Sequence, residues 1–313
     1  MKAIIWITGV AGFTGRHLVA HLRGLPDQPR IIGIDHAEGN YGEVDSYHRI
    51  DLSETDELAD LARTEHPSWV IHLAGAMPPA NEEQMWKINA GCTVSILRAL
   101  SFAGCNTTRV LSIGSAAEYL PQRSALTEDS PCGGASLYGA IKWAQSLLAL
   151  NIGRSLGIPT MVARPFNLIG SGLSTNLVLG WLCYQFCKSV ELDEIVIGNL
   201  ESARDFVDIR DAVAAYWLVV TRGAPGNVYN VCTEKPTTIR QLINLLCSIT
   251  GKNPQIRVDP SRIKSSDPSV CYGNYRKLEQ TTGWRPIIKL KDSLAEIVRE
   301  QIPRIAISPE GPA

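Results

Sequence analysis

Ile4-Ile5-Trp6-Ile7-Thr8-Gly9-Val10-Ala11-Gly12-Phe13-Thr14-Gly15 opens the chain and decides how the rest is read. The isoleucine-rich run reads as a buried strand. Three glycines follow with the spacing G-x-x-G-x-x-G, and Arg16-His17-Leu18-Val19-Ala20-His21-Leu22 then places apolar residues at helical spacing. Strand, glycine turn and helix in that order suit a dinucleotide pyrophosphate. The glycines let the backbone turn tightly and let phosphates approach, and the helix N-terminus offers N–H groups and the positive end of its dipole. A glycine triplet alone is a weak signal. Here the strand before it, the helix after it and an acid at Asp35 supply the context the motif needs. The plain alternative is a glycine-rich turn that binds nothing.

Working outward, Arg30-Ile31-Ile32-Gly33-Ile34-Asp35 is a second strand ending in that acid. A carboxylate there accepts hydrogen bonds from a ribose 2′-OH and repels a 2′-phosphate, so Asp35 leans toward NAD(H) over NADP(H). Its other reading is a turn cap. Ile50-Asp51-Leu52 is expected to end a third strand, with Asp51 either at the adenine edge or capping the helix that starts near Glu54. Trp69 to Ala76 reads as a fourth strand running into small residues, where Leu73, Ala74 and Gly75 let a cofactor lie against the backbone; His72 within it reads as a core histidine. A long helix is predicted from Glu82 to Ala103. Its Asn89 either bridges to the active-site loop through water or is simply buried and hydrogen-bonded.

Arg109 to Ser115 reads as a fifth strand ending in hydroxyls and a glycine. A loop from Leu120 to Ser136 leads to a helix that begins with Tyr138-Gly139-Ala140-Ile141-Lys142. Pro159 to Arg164 is a sixth strand, broken by Pro165-Phe166-Asn167. Regular alternation stops there. The expected fold is α/β, a doubly wound parallel sheet of the Rossmann kind with a smaller C-terminal α/β lobe. The expected division is 1–165 for the dinucleotide-binding domain, with 205–232 returning to it, and 166–204 plus 233–313 for the substrate lobe. After residue 165 the chain reads as a helix from Leu177 to Phe186, extended pieces at 194–197, 228–231 and 256–258, a helix from Ile239 to Ile249 and two short closing helices.

Composition bounds the function. The 313 residues are 45% hydrophobic and 19% charged, with a formal net charge of −1. No global field draws in nucleic acid or an acidic membrane surface, and no apolar run is long enough to span a bilayer. The first residues enter a core strand, so no signal peptide is expected and the location read is cytoplasmic. Eight cysteines are scattered without a C-x-x-C. Cys183 and Cys187 share a helix face, but no histidine or carboxylate nearby completes a metal set, so no metal is expected and buried thiols are the simplest account.

Ser115, Tyr138 and Lys142 suit hydride transfer at a carbonyl carbon. A ketone that accepts hydride needs its oxygen polarised and then protonated. A phenol has an ordinary pKa of about 10, and a neighbouring ammonium is expected to lower it. Unit charges about 4 Å apart interact by about 4 kcal/mol at an effective dielectric of about 20, enough for a shift of a few units. Ser115 would donate to the carbonyl oxygen, and a nicotinamide cofactor would carry the hydride.

These residues resemble those of the extended short-chain dehydrogenase/reductases that act on nucleotide sugars. The resemblance runs nearly end to end, through Thr8 to Gly15, His72-Leu73-Ala74-Gly75, Ser115 four residues before Tyr119, Tyr138 to Lys142, Arg164-Pro165-Phe166-Asn167 and Arg204-Asp205-Phe206-Val207-Asp208. Within the family the chain is most similar to the GDP-4-keto-6-deoxy-D-mannose reductases, on Ile113 to Tyr119, Phe166 to Gly170, Ile197 to Glu201, Ala215 to Leu218 and Val228 to Cys232. The resemblance implies catalytic roles for Ser115, Tyr138 and Lys142. It places Gly9, Ala11, Gly12, Phe13, Thr14 and Gly15 at the pyrophosphate, Asp35 at the ribose, and Asp51 and Leu52 at the adenine. Leu73, Ala74, Gly75, Asn89 and Pro165, with Tyr138 and Lys142, complete the cofactor contacts. Ser115, Asn167, Arg204, Lys264 and Asp267 are implied for a nucleotide-diphosphate sugar, arginine suiting a diphosphate because it bonds two oxygens at once. A homodimer paired through the helices near Glu82 and Ser136 is implied as well.

The chain departs from the family at several points. Dehydratases carry an Asp-Glu pair just after the catalytic hydroxyl, where this chain has Ala116 and Ala117. That argues against water elimination. Leu120 replaces a usual glycine, Ser171 a usual proline, and Lys264 an arginine near the nucleotide base. The expected activity is NAD(P)H-dependent reduction of a 4-keto-6-deoxy sugar. The alternatives are a 4-epimerase with tightly held NAD, which Asp35 favours, and a dinucleotide-binding protein without turnover.

Overall fold

The computed structural model describes residues 2–37, 41–188, 192–263 and 269–307, with side chains described as far as residue 301. Strand β1 (Ile4–Thr8) passes through the glycine turn into helix α1 (Phe13–Arg23), followed by β2 (Arg30–Asp35) and β3 (Ser46–Arg49). Then come α2 (Thr55–Glu65), β4 (Trp69–His72) and a helical stretch built of α3 (Glu82–Met85), a π-helical turn (Trp86–Gly91) and α4 (Cys92–Phe102). Next are β5 (Arg109–Ile113), a 3₁₀ turn (Ala116–Glu118), α5 (Leu137–Leu156) and β6 (Thr160–Pro165). The order continues with β7 (Asn167–Ile169), α6 (Val178–Cys187), β8 (Glu194–Ile197), β9 (Ala203–Asp208), α7 (Ile209–Arg222) and β10 (Val228–Val231). It closes with β11 (Pro236–Thr238), α8 (Ile239–Thr250), β12 (Gln255–Val258), β13 (Val270–Cys271), α9 (Arg276–Thr282) and α10 (Leu290–Ile307).

Seven strands form one parallel sheet in the order β10-β6-β5-β4-β1-β2-β3. The chain winds outward in both directions from β1, so the topological switch point lies between β1 and β4, directly beside the glycine turn. Strands covered on both faces are apolar on both faces. Ile5, Ile7 and Ile71 pack with Leu18 and Leu22 of α1 and Val213 and Tyr216 of α7. Trp6, Ile32 and Val70 pack with Leu58 of α2 and Ile96, Leu97 and Leu100 of α4. Burying each such side chain stabilises the fold by about 2 kcal/mol.

A second group of elements lies after β6. β9 pairs antiparallel with β11 and parallel with β13 and β7, while β8 pairs with β12. Leu182 and Phe186 of α6, Leu242 and Leu246 of α8, and Leu294 and Ile297 of α10 share one core beneath these strands.

Three expectations change. The strand near Ile50-Asp51-Leu52 is Ser46–Arg49, because Asp51 accepts from the Ser53 amide at 2.9 Å and turns the chain toward α2. The return to the large sheet begins with α7 rather than at residue 205, because β9 belongs to the small sheet and only β10 joins β6. The last helix is long: α10 runs 18 residues, since its buried face completes the core of the lobe. Among the described residues no helix is long and apolar enough to cross a membrane.

Candidate active site

The C-terminal ends of β1, β2, β4, β5 and β6 meet at one edge of the sheet. At this edge Gly9 has φ +70°, and its amide bonds Ile34 O at 2.9 Å. A Cβ there would lie 2.6 Å from Ala74 N. A Cβ on Gly15 would lie 2.4 Å from Val10 O. The turn therefore folds onto the end of β4 only because these side chains are missing. Helix α1 starts after Gly12, which provides no side-chain cap, so the first-turn amides of Phe13, Thr14 and Gly15 are suited to an anion.

Asp35 is buried. Its Oδ2 accepts from Ala11 N at 3.0 Å and its Oδ1 from His36 N at 2.8 Å, tying the glycine turn to the end of β2. Asp51 spends its carboxylate on Ser53 N and Oγ, at 2.9 and 2.8 Å, and on Lys87 Nζ at 3.1 Å. Those Ser53 bonds, chiefly, hold it below the usual carboxylate range. Leu52 beside it is buried. Leu73 N bonds Thr8 O at 3.1 Å, continuing the β1–β4 pairing past His72. Asn89 sits in the π-helical turn, fully buried, and clasps Ala76 from both sides: its Oδ1 accepts from Ala76 N at 3.0 Å and its Nδ2 donates to Ala76 O at 2.8 Å. These bonds make Asn89 a buried, hydrogen-bonded residue of the turn. Its Oδ1 lies 3.0 Å from where a Cβ on Gly75 would stand. His72 is a core histidine with Nδ1 2.7 Å from Thr8 Oγ1, and burial pushes its pKa down to about 3.

Ser115 follows the end of β5 and caps the 3₁₀ turn. Its Oγ accepts from Ala117 N at 3.1 Å, so the hydroxyl proton is left to donate elsewhere. Ser136 caps α5 by accepting from Gly139 N at 3.1 Å, which sets Tyr138 in the first turn and Lys142 one turn on. Lys142 is buried, its Nζ donating to Ile113 O and Gln145 Oε1, both at 2.6 Å. Burial pushes its ammonium down to about 8, with the Glu118 charge opposing. The expected lowering of the Tyr138 phenol does not appear. Burial raises it, the Ser115 hydroxyl offsets part of that, and Glu118 raises it further. The physical reason is desolvation, which penalises a phenolate, while the Lys142 ammonium is turned to Ile113 O and Gln145 Oε1.

Two groups absent from the sequence reading complete this corner. Glu118 is wholly buried; its Oε1 accepts from Ser115 N at 2.8 Å and its Oε2 from Arg164 Nε at 2.7 Å. Gln145 relays Lys142 to Ser112, donating from Nε2 to Ser112 Oγ at 3.0 Å. The signal for Glu118 was present, since Ser115-x-x-Glu118 is the spacing of a capping box.

Asn167 opens β7 and donates from Nδ2 to Asp205 O at 3.2 Å. Arg204 lies on β9, whose Phe206 is in register with Asn167. The two sit on neighbouring strands of the small sheet, and Pro165, buried, ends β6 just before them. Lys264 and Asp267 lie outside the described residues.

A βαβ start with a glycine turn at the switch point, and a Ser, Tyr and Lys set at the same sheet edge, define an extended short-chain dehydrogenase/reductase. The chain belongs to the NAD dependent epimerase/dehydratase family, which matches residues 5–232. It is 32% identical to the GDP-6-deoxy-D-mannose reductase of Pseudomonas aeruginosa, over 97% of this chain and 99% of that one. It is 26% identical to a dTDP-6-deoxy-L-talose 4-dehydrogenase (NAD(P)(+)) of Kitasatospora kifunensis, over 94% of each chain. The solved structure of RMD from Pseudomonas aeruginosa complexed with NADPH superposes with a TM-score of 0.85 at 31% identity, covering 97% of this chain and 99% of that one.

Proposed function

We propose that the protein reduces the C4 ketone of a nucleotide-linked 4-keto-6-deoxyhexose, with Tyr138 as the acid. The observation that carries the reading is the chemistry of the turn after β5. Ser115 keeps its proton for donation, and the two following positions are Ala116 and Ala117. Glu118, the acid in that turn, is shut away against Arg164. The turn can polarise a carbonyl oxygen but has no accessible base to draw water from the sugar. The relatives named above, which act on 6-deoxy sugars, support the substrate class.

The glycine turn from Gly9 to Gly15 would hold a reduced nicotinamide dinucleotide, which would supply the hydride. Ser115 donates to the ketone oxygen. As negative charge builds there, Tyr138 gives up its phenolic proton, and a raised phenol pKa suits it to be protonated beforehand. Lys142, still an ammonium at neutral pH, stabilises the phenolate that remains. Arg204 and Asn167 hold the sugar nucleotide's diphosphate. Asp35 favours NAD(H) at the ribose, by repulsion of a 2′-phosphate. The exposed Trp86, Phe102 and Leu147 offer an apolar face for a second copy, as a homodimer.

The test is stoichiometric oxidation of NADH or NADPH with 4-keto-6-deoxy sugars linked to GDP, dTDP, UDP and CDP. Turnover with one of them is expected. No turnover with any rejects the reading. A 4-epimerase is the second reading, favoured by the same Asp35; protein that releases NAD⁺ on denaturation and interconverts sugars without added cofactor would establish it instead.

A further inference from the structure

Glu118 makes no contact with solvent and takes no part in the proton path above. Its setting is unusual for a residue of a short surface turn. One carboxylate oxygen receives the Ser115 amide at 2.8 Å and the other the Arg164 guanidinium at 2.7 Å, both 5% exposed or less in the case of the charged partners. The approach depends on Gly114, where a Cβ would lie 2.2 Å from Glu118 Oε1. The guanidinium is clamped in turn, its carbon 4.6 Å from the centre of the Tyr119 ring, while the Tyr119 hydroxyl donates to Asn230 Oδ1 at 2.7 Å. Arg164 belongs to β6, so the turn is anchored to the large sheet.

The other side of the turn is fixed to the loop that leads into α5 and to the first turn of that helix. Glu118 O accepts from Gly133 N at 2.9 Å and Gly134 N at 3.0 Å. A Cβ on Gly139 would lie 2.2 Å from Ala117 O, so the turn backbone rests on the first turn of the helix that bears Tyr138 and Lys142. A buried ion pair is a weak source of stability, because desolvation offsets its attraction. What two charge-assisted bonds to one rigid carboxylate do supply is position.

We infer that Glu118 is a positioning residue: braced by Arg164, it holds the Ser115 turn so that Ala117 N occupies the acceptor side of the Ser115 hydroxyl and the hydroxyl proton points at the substrate oxygen. The inference rests on the reading of Ser115 as that donor. A misplacement of about 1 Å at such a group costs about 100-fold in rate.

A double-mutant cycle with Glu118→Gln and Ser115→Ala tests it. Glutamine keeps the shape but has one acceptor oxygen in place of two. Glu118→Gln is expected to lower kcat for the keto sugar about 10- to 100-fold with KM for the reduced dinucleotide unchanged, since the glycine turn is untouched. In the Ser115→Ala background the same change is expected to cost less than about threefold, because the group it serves has gone. Equal losses in both backgrounds overturn the inference, as they mark a general structural defect. If Glu118→Gln does not fold, Glu118→Leu/Arg164→Met replaces the whole pair by apolar groups, a change that buried pairs tolerate. Its kcat is expected to fall likewise, and wild-type kcat in it overturns the inference. Hydrogen exchange at the Ala117 amide needs no turnover and so separates this inference from the reductase reading. Exchange at least about tenfold faster in the variant is expected, and unchanged protection overturns the inference whether or not any keto sugar is reduced.

Discussion

The glycine turn and the Ser115 corner lie at the same sheet edge and are built in opposite ways. The turn works through missing side chains: Gly9 and Gly15 bring backbone onto backbone, and Asp35 binds backbone amides, Ala11 N of the turn and His36 N beside it. The corner works through present ones, paired across long stretches of chain: Glu118 with Arg164, 46 residues apart, and Tyr119 with Asn230, 111 apart. The difference teaches where each half is vulnerable. Adding atoms breaks the first, and removing single polar atoms breaks the second.

Tyr138→Phe is the sharpest cut between the two. It deletes one oxygen at the corner, so kcat is expected to fall about 10²- to 10⁴-fold while dinucleotide binding and the melting temperature stay as they are. Steady-state assays and a thermal melt check both halves. Gly9→Ala is the converse. It places a Cβ 2.6 Å from Ala74 N at φ +70°, and left-handed strain plus overpacking is expected to cost about 3 kcal/mol. Denaturant unfolding should show that loss together with weakened dinucleotide binding. A smaller effect breaks the symmetry of the comparison, because His72, under the glycine turn, is held by Thr8 from 64 residues away. Folding lowers its pKa from 6.5 to about 3. The unfolded chain therefore binds the extra proton between those values, and stability is complete above about pH 6.5 and lost as pH falls toward 3. About 2 kcal/mol should vanish between pH 7 and pH 5, and His72→Gln should remove its contribution to that slope in urea titrations. Asp51→Ala is the smallest. Its carboxylate is half-exposed and already committed to Ser53 and Lys87, so the melting temperature should not move measurably and dinucleotide affinity should change less than about threefold.

The same contrast explains what could be read in advance. Strand, turn and helix at Ile4 to Leu22 follow from periodicity and from backbone sterics within about 20 residues, and the structure has β1, the glycine turn and α1 there. The Ser115, Tyr138 and Lys142 positions were legible because each falls at a strand end or a helix start. Glu118 was not, although its capping spacing was visible, because nothing local says that an arginine from β6 will bury it. Asn89 carries two readings in the sequence for a related reason: the π-helical turn that swings it onto Ala76 is a property of the packed helix, not of its hydrophobic pattern.

The amino-acid order by itself determined the parallel α/β plan, the glycine turn and the identity of the hydroxyl, phenol and amine groups. Those depend on short-range geometry that any chain segment carries with it. Tertiary structure alone decided their protonation and their aim. It pushed Lys142 down and Tyr138 up by removing water from both, and it turned Ser115 by a carboxylate locked to a distant guanidinium. Desolvation and long-range ion pairing arise only once remote segments are packed together, which is why no reading of neighbours along the chain contains them.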